Sequence, residues 1–312
     1  MSETLAARLA ATGPHAVRRL AVLAVLTSAC LWGLSGTAAE VLFQHLGVSP
    51  GWLVGVRMLG SGLILSIILR PRIDPRRDLL PLAVFGVLGL GLVQFAYFTA
   101  IAVSNVATAT FLQYLAPALV AAWQFSTGRL EPSWRLGGGV ILAVAGTTVI
   151  ALAGKGADIS AQALLWGLGS ALAAAFYTLY PAHLMRRIGP WPTACYGFLL
   201  GGVAFAVLTP PWQGAPSAPF TWLLVAAVVV GGTLIPFGLY LWGVSRLVAT
   251  EAAVIATAEA AAAALAGAFL LGQVLPAQAY LGGLLVVVAV LLVSLARARP
   301  TPPPELPIGG PP

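Results

Sequence analysis

Residues 52–79 read WLVGVRMLGSGLILSIILRPRIDPRRDL. An apolar run over 52–69 is close to the ~20 residues a helix needs to cross the hydrocarbon of a bilayer. It stops at a cluster of four arginines, Arg70, Arg72, Arg76 and Arg77. Working outward, the same pattern recurs along the chain, with apolar stretches at 20–43, 52–69, 79–101, 105–124, 134–153, 162–185, 193–209, 220–243, 249–270 and 277–296. The basic residues fall in alternate gaps: Arg8, Arg18 and Arg19 before the first stretch, then Arg70 to Arg77, Arg129 and Arg135, Arg186 and Arg187, Arg246, and finally Arg297 and Arg299. Of the sixteen Lys and Arg, only Lys155 lies in an opposite gap and only Arg57 inside a stretch. Basic residues resist translocation, so the pattern predicts an even number of spans with both termini in the cytoplasm.

Composition agrees with that class. The chain of 312 residues is 59% hydrophobic and 8% charged, too few polar residues to cover a water-soluble globule. A net charge of +7 in a soluble protein would suggest nucleic acid. Here the arginines stand singly or in small groups at span ends, where topology and anionic headgroups account for them, so no nucleic-acid partner is expected. Cys30 and Cys195 both fall within spans, so neither a disulfide framework nor a cysteine metal site is expected. The start resembles a signal peptide with Ala38-Ala39 as a cleavage site, but the apolar run from Leu20 exceeds an ordinary h-region and reads as an uncleaved first span. The seven prolines from Pro300 to Pro312 predict an extended tail.

The two halves also overlay on each other. With a shift of 142 to 144 residues Tyr97 falls on Tyr240, Val106-Ala107-Thr108 on Val248-Ala249-Thr250, and Gly138-Gly139 on Gly282-Gly283; Trp32 falls on Phe176 and Pro117 on Ala260. Five spans per half is an odd number, so the second copy enters the membrane from the opposite face. Inverted repeats of this kind underlie alternating access. The expected architecture is an all-α integral membrane protein of ten transmembrane helices in two inverted five-helix repeats. Its parts are a cytosolic segment 1–19, a first repeat 20–153, a second repeat 162–296 and a Pro-rich cytosolic tail 297–312.

These features resemble the drug/metabolite transporter superfamily, in particular its EamA-type ten-helix exporters, over residues 20 to 296. The residues that carry the resemblance are Trp32-Gly33 ending the first apolar run, the lone arginine of Val56-Arg57-Met58-Leu59, and the small-residue run from Ala107 to Pro117. Gly128 pairs with Gly138, and Gly272 with Gly282, at the family's ten-residue spacing. The chain departs from the family pattern where Arg129 and Gln273 replace a glutamate and where Glu259-Ala260 replaces Glu-Pro. The resemblance implies a secondary transporter of the cytoplasmic membrane that moves a small metabolite, with export of an amino acid or related compound as the leading expectation.

Ionisable groups inside a bilayer are costly, so each is a candidate site. Glu40 and Arg57 lie near the outer ends of adjacent spans at similar depth, and two readings stand: a structural ion pair, or an extracellular gate that breaks on opening. Glu259 lies near the middle of the Ala-rich ninth span with no basic residue expected at its depth. It suits proton coupling or capture of a cationic substrate; the bland alternative is an acid hydrogen-bonded to a neighbouring Ser, Thr or Tyr.

The cavity of an inverted repeat is lined by spans 1, 3, 4, 6, 8 and 9. Those spans place Trp32, Gln94, Tyr97, Gln113, Tyr114, Tyr177, Tyr180, Tyr240 and Trp242 as wall candidates, each of which could equally pack between helices. Pro117 predicts a kink that frees a carbonyl one turn earlier, near Gln113 and Tyr114. Trp166 and Trp191 read as interfacial anchors, and Gly51-x-x-x-Gly55 and Gly197-x-x-x-Gly201 as close helix packing within the monomer.

Other chemistries find no home in the sequence. Gly154-Lys155 lacks the flanking residues of a phosphate loop, His15, His45 and His183 are far apart, and no nucleophile, base and oxyanion set is visible. No metal and no cofactor are expected. An amine or quaternary-ammonium substrate such as choline is the alternative for the same cavity, through aromatic walls and one acid. A membrane-embedded enzyme, a lipid flippase or a passive channel are the rivals from other classes.

Overall fold

The structure is a computed structural model that describes residues 14–103, 106–129, 133–153, 160–271 and 276–294. The expected tail, Lys155, Arg8, Gly272 and Gln273 lie outside the described residues, as does most of the expected N-terminal segment. The described residues form helices and connecting turns, with no strand among them.

The helices are α1 (Pro14–Gln44), α2 (Pro50–Leu69), α3 (Pro75–Val103), α4 in two pieces (Val106–Gln113 and Ala116–Ser126) and α5 (Trp134–Ala153). They continue with α6 (Ala161–Ile188), α7 (Pro190–Leu208), α8 (Pro219–Val244), α9 in two pieces (Ala249–Ala256 and Ala258–Leu271) and α10 (Ala277–Ser294). Eight of them are long and apolar enough to cross a membrane, with Trp134–Ile150 a shorter apolar helix. α4 runs as two shorter pieces. Each expected span is occupied by a helix, so the chain is a multi-pass membrane protein. α1 begins at Pro14 rather than Leu20, so Arg18 and Arg19 ride on its first turns.

Local chemistry sets several of these starts. Ser49 accepts a hydrogen bond from the Trp52 amide ahead of Pro50, and Ser160 does the same for Ala163. Asp74 caps the Arg76 amide while Asp78 Oδ2 accepts from the Asp74 amide at 2.9 Å, a reciprocal cap on the helix that follows the arginine cluster. Proline at the first helical position costs nothing there, because that N–H has no partner inside the helix.

Helix pairing repeats after an offset of five. α2 packs on α7 and α5 on α10; α3 packs on α6 as α8 does on α1; α4 packs on α6 as α9 does on α1. The operation that exchanges the halves is visible atom by atom between α2 and α7. A methyl added at Gly62 would lie 2.8 Å from the Leu199 backbone nitrogen, and one at Gly202 2.7 Å from that of Leu59. Both members of this contact are related by the same 140-residue shift. Gly197 and Gly201 likewise pack within the chain, against Phe85, Leu90 and Gly86 of α3.

Two irregularities are also duplicated. α3 widens into a π-helical segment at Phe85–Gly91, and α8 does so at Val230–Leu234. α4 breaks at Tyr114-Leu115 and α9 at Thr257. Interrupted helices of this kind are tolerated at membrane depth where they face a cavity rather than lipid.

Candidate functional site

The broken stretches of α4 and α9 border one cavity between the two halves, and the widened turns of α3 and α8 lie just before its wall residues Val93 and Phe237. Its walls come from α1, α2, α3, α4, α6, α8 and α9.

Of the expected wall residues, Trp32, Gln94, Tyr97, Gln113, Tyr114, Tyr177, Tyr240 and Glu259 line the cavity, as do Pro117 and Arg57. Tyr180 and Trp242 do not. Tyr180 stacks on Phe176 with ring centroids 4.6 Å apart and faces His183. Trp242 lies under the Arg246 guanidinium at 4.1 Å, near the end of α8. Each sits within one turn of a wall residue, Tyr177 or Tyr240. Phe98 and Phe237 were not anticipated and line the cavity too. Trp166 meets Phe95 edge-on and Trp191 lies against Gly238, each partly exposed. The exposed tryptophans are Trp123, Trp134, Trp212 and Trp222, at or near helix ends.

The aromatic wall is a continuous cluster. Trp32 meets Phe237 edge-on at 4.8 Å and Tyr240 at 5.3 Å, and Tyr177 lies 5.3 Å from Tyr240. Some polar tips in this wall are already occupied: the Tyr97 hydroxyl pairs with Thr110 Oγ1 at 2.9 Å and that of Tyr240 with Thr178 Oγ1 at 3.0 Å. Three are not. Trp32 Nε1, Gln94 Oε1 and the Tyr114 hydroxyl are buried and have no hydrogen-bond partner. The Tyr114 hydroxyl is near the Glu259 carboxyl but makes no hydrogen bond of normal length to it.

The expected Glu40–Arg57 ion pair is absent: the ion pairs among the described residues are Arg18–Glu251 and Asp78–Arg187. Arg57, 3% exposed, reaches α8 instead of α1. Its Nε donates to Thr233 Oγ1 at 2.6 Å and its Nη2 to the Gly232 carbonyl at 2.8 Å, and the guanidinium lies over the Phe98 ring. The π-helical turn explains this choice. A wider turn misaligns carbonyls with their usual donors, and Thr233 Oγ1 and Arg57 supply bonds to Val228 and Gly232 there. In α3 the amide of Gln94 does the corresponding work, donating from Nε2 to the Leu90 carbonyl at 2.6 Å. Leu90 and Gly232 are themselves related by the repeat shift.

At the helix ends that carry the arginine clusters, polar links join the halves. Arg18 of α1 pairs with Glu251 of α9 and donates from Nη1 to the Ser294 carbonyl of α10 at 2.6 Å. Arg187 of α6 pairs with Asp78 of α3. Gln124 Oε1 of α4 accepts from both the amide and the hydroxyl of Thr250 of α9, at 3.0 and 2.7 Å. Glu251, in the first turn of α9, is 2% exposed and belongs to this network.

The chain matches the EamA-like transporter family twice, over residues 19–152 and 161–295. It is 34% identical over 294 residues to a protein of Salmonella typhimurium named an uncharacterized inner membrane transporter, YicL, covering 90% of this chain and 97% of that one. It is 24% identical over 289 residues to the uncharacterized transporter YwfM of Bacillus subtilis, covering 89% and 94%. An uncharacterized transporter of Archaeoglobus fulgidus is 26% identical over 271 residues, covering 86% and 94%. A solved crystal structure superposes with a TM-score of 0.74 at 20% identity, covering 88% of this chain and 97% of that one, a likeness of fold. With both halves matched, the chain belongs to the EamA-like transporter family, a group of multi-helix membrane transporters.

Proposed function

We propose that this transporter is a secondary carrier that exports an amino acid or related zwitterionic metabolite across the cytoplasmic membrane by alternating access. The observation that carries this reading is the pair of opposite charges on one aromatic cavity, Arg57 from α2 and Glu259 from α9. A carboxylate on the substrate faces Arg57, and its ammonium faces Glu259. The same acid can take up a proton when the substrate leaves, which couples transport to a proton gradient. The arginine clusters support an orientation with both termini in the cytoplasm. On that orientation the Arg18–Glu251, Asp78–Arg187 and Gln124–Thr250 links close the cytoplasmic side, and their rupture opens it.

A second reading is a simple amine without a carboxylate. It is favoured by the fact that two of the Arg57 nitrogens are already bonded to α8. Proteoliposomes separate the two. Saturable counterflow of labelled amino acids, abolished in carboxylate-free analogues, supports the zwitterion. Flux of amines alone supports the second reading, and solute-independent current overturns the carrier.

A further inference from the structure

The buried polar atoms of the cavity specify more than charge. Gln94 is 5% exposed, and its orientation is settled by its surroundings: the Leu90 carbonyl can only accept, so the NH2 group points there and Oε1 is left as an acceptor without a partner. Glu259 adds a second acceptor to the same walls. Gln94 Oε1 is buried at the cavity wall without a partner, so a ligand that packs against it must itself offer a donor, because an acceptor left bare in an apolar site is costly.

We propose that the substrate's ammonium group must retain at least one N–H, donated to Gln94 Oε1, so that the cavity rejects quaternary ammonium compounds despite its aromatic walls. The inference rests on the reading of this cavity as the carrier's substrate site. Aromatic walls alone favour the opposite preference, since cation–π attraction does not need a hydrogen-bond donor. Gln94 is thus a specificity-determining residue. The other two unpartnered groups divide by capability: Trp32 Nε1 can only donate and suits a carboxylate or hydroxyl of the ligand, whereas the Tyr114 hydroxyl can do either.

The test is binding calorimetry on the purified full-length protein with two probe series, phenylalanine and phenethylamine, each carrying zero, one, two or three N-methyl groups. A protonated dimethylamine keeps one N–H and a trimethylammonium keeps none. Affinity is expected to change little through the second methyl and to fall about a hundredfold or more at the third, because a site built around a hydrogen bond strongly rejects the analogue that lacks it. In Gln94→Met that break disappears, because the trimethylated probes no longer leave an acceptor bare and bind more tightly than they do to the native protein. Should Gln94→Met fail to fold, the series on the native protein still decides. Equal affinity for dimethyl and trimethyl probes, or a smooth decline with each methyl, overturns the proposal. A break seen with phenethylamine while phenylalanine does not bind upholds it and overturns the zwitterion reading. No binding by any member of either series overturns both.

Discussion

Arg57 Nε donates to Thr233 Oγ1 at 2.6 Å, and this bond joins α2 of one half to the widened turn of α8 in the other. The arginine braces a defect in a neighbouring helix, with its charge turned toward the cavity. Arg57→Met leaves the Gly232 carbonyl without its donor in a buried setting, at a cost of about 1–3 kcal/mol. Folded yield and melting temperature both fall in this variant. Glu40→Gln makes neither change, since Glu40 forms no ion pair with Arg57. A gate would give the reverse outcome for Arg57→Met, normal folding with no transport, and differential scanning fluorimetry alongside flux distinguishes the two.

Glu259→Gln keeps the shape of the side chain and removes its ability to ionise. With the acid as the ammonium partner, affinity for the transported amino acid drops about tenfold or more, in line with a charge-assisted hydrogen bond. The variant folds normally, because Glu259 makes no ion pair among the described residues. Unchanged binding in the purified variant removes Glu259 from the substrate site.

Arg18 and Glu251 give a third measurement. Removing one partner of a fully buried ion pair costs about 3–5 kcal/mol. The Arg18 side chain is 35% exposed, so solvent reduces that figure, and Arg18→Gln is expected to cost about 1–2 kcal/mol. Because Arg18 ties α1 to Glu251 of α9 and to the Ser294 carbonyl of α10, its loss is expected also to expose the cavity on the side that carries the arginine clusters. Cysteine labelling at Gln113, which lines the cavity, in a cysteine-free background should then accelerate in Arg18→Gln. Identical labelling rates in the two backgrounds contradict a closing role.

Gly62→Ala and Gly202→Ala probe the symmetry of the fold. Each new methyl meets backbone rather than a movable side chain, at 2.8 Å from Leu199 and 2.7 Å from Leu59. Close helix approach through small residues is what holds such an interface together in lipid. Both variants are expected to lose about 1–3 kcal/mol, the usual cost of overpacking, and by similar amounts. A large loss in one and none in the other is incompatible with equivalent contacts.

The glycines and hydropathy of α2 and α7 illustrate what was readable beforehand. Every lipid-crossing helix must satisfy its own backbone, so an apolar run of sufficient length dictates its structure locally. The kink near Pro117 was readable for the same reason, since proline lacks a donor. The matching break at Thr257 was not. No proline marks it, and the turn is held by the Thr257 hydroxyl bonding to the Val254 carbonyl at 2.7 Å. The π-helical segments were equally silent, because glycine and valine are compatible with either winding.

The wall of the cavity was legible as a set and misassigned at its edges. Tyr177 and Tyr240 point inward while Tyr180 and Trp242, a turn or less away, do not. In a mostly apolar helix, lipid-facing and cavity-facing sides carry similar residues, so periodicity alone gives no direction. For Arg57 the missing information was its partner. Depth suggested Glu40, but the choice depended on a carbonyl made available by a widened turn in a helix 175 residues further on.

The sequence by itself determined the all-helical membrane class, the placement of the spans and the duplication, because hydropathy, charge in the gaps and the repeat shift are properties of the chain order. Only the tertiary structure decided which polar atoms are left unpaired around the cavity and which charges meet. Those outcomes depend on helix rotation and on local winding, and a change of one residue per turn in α3 or α8 is enough to redirect them.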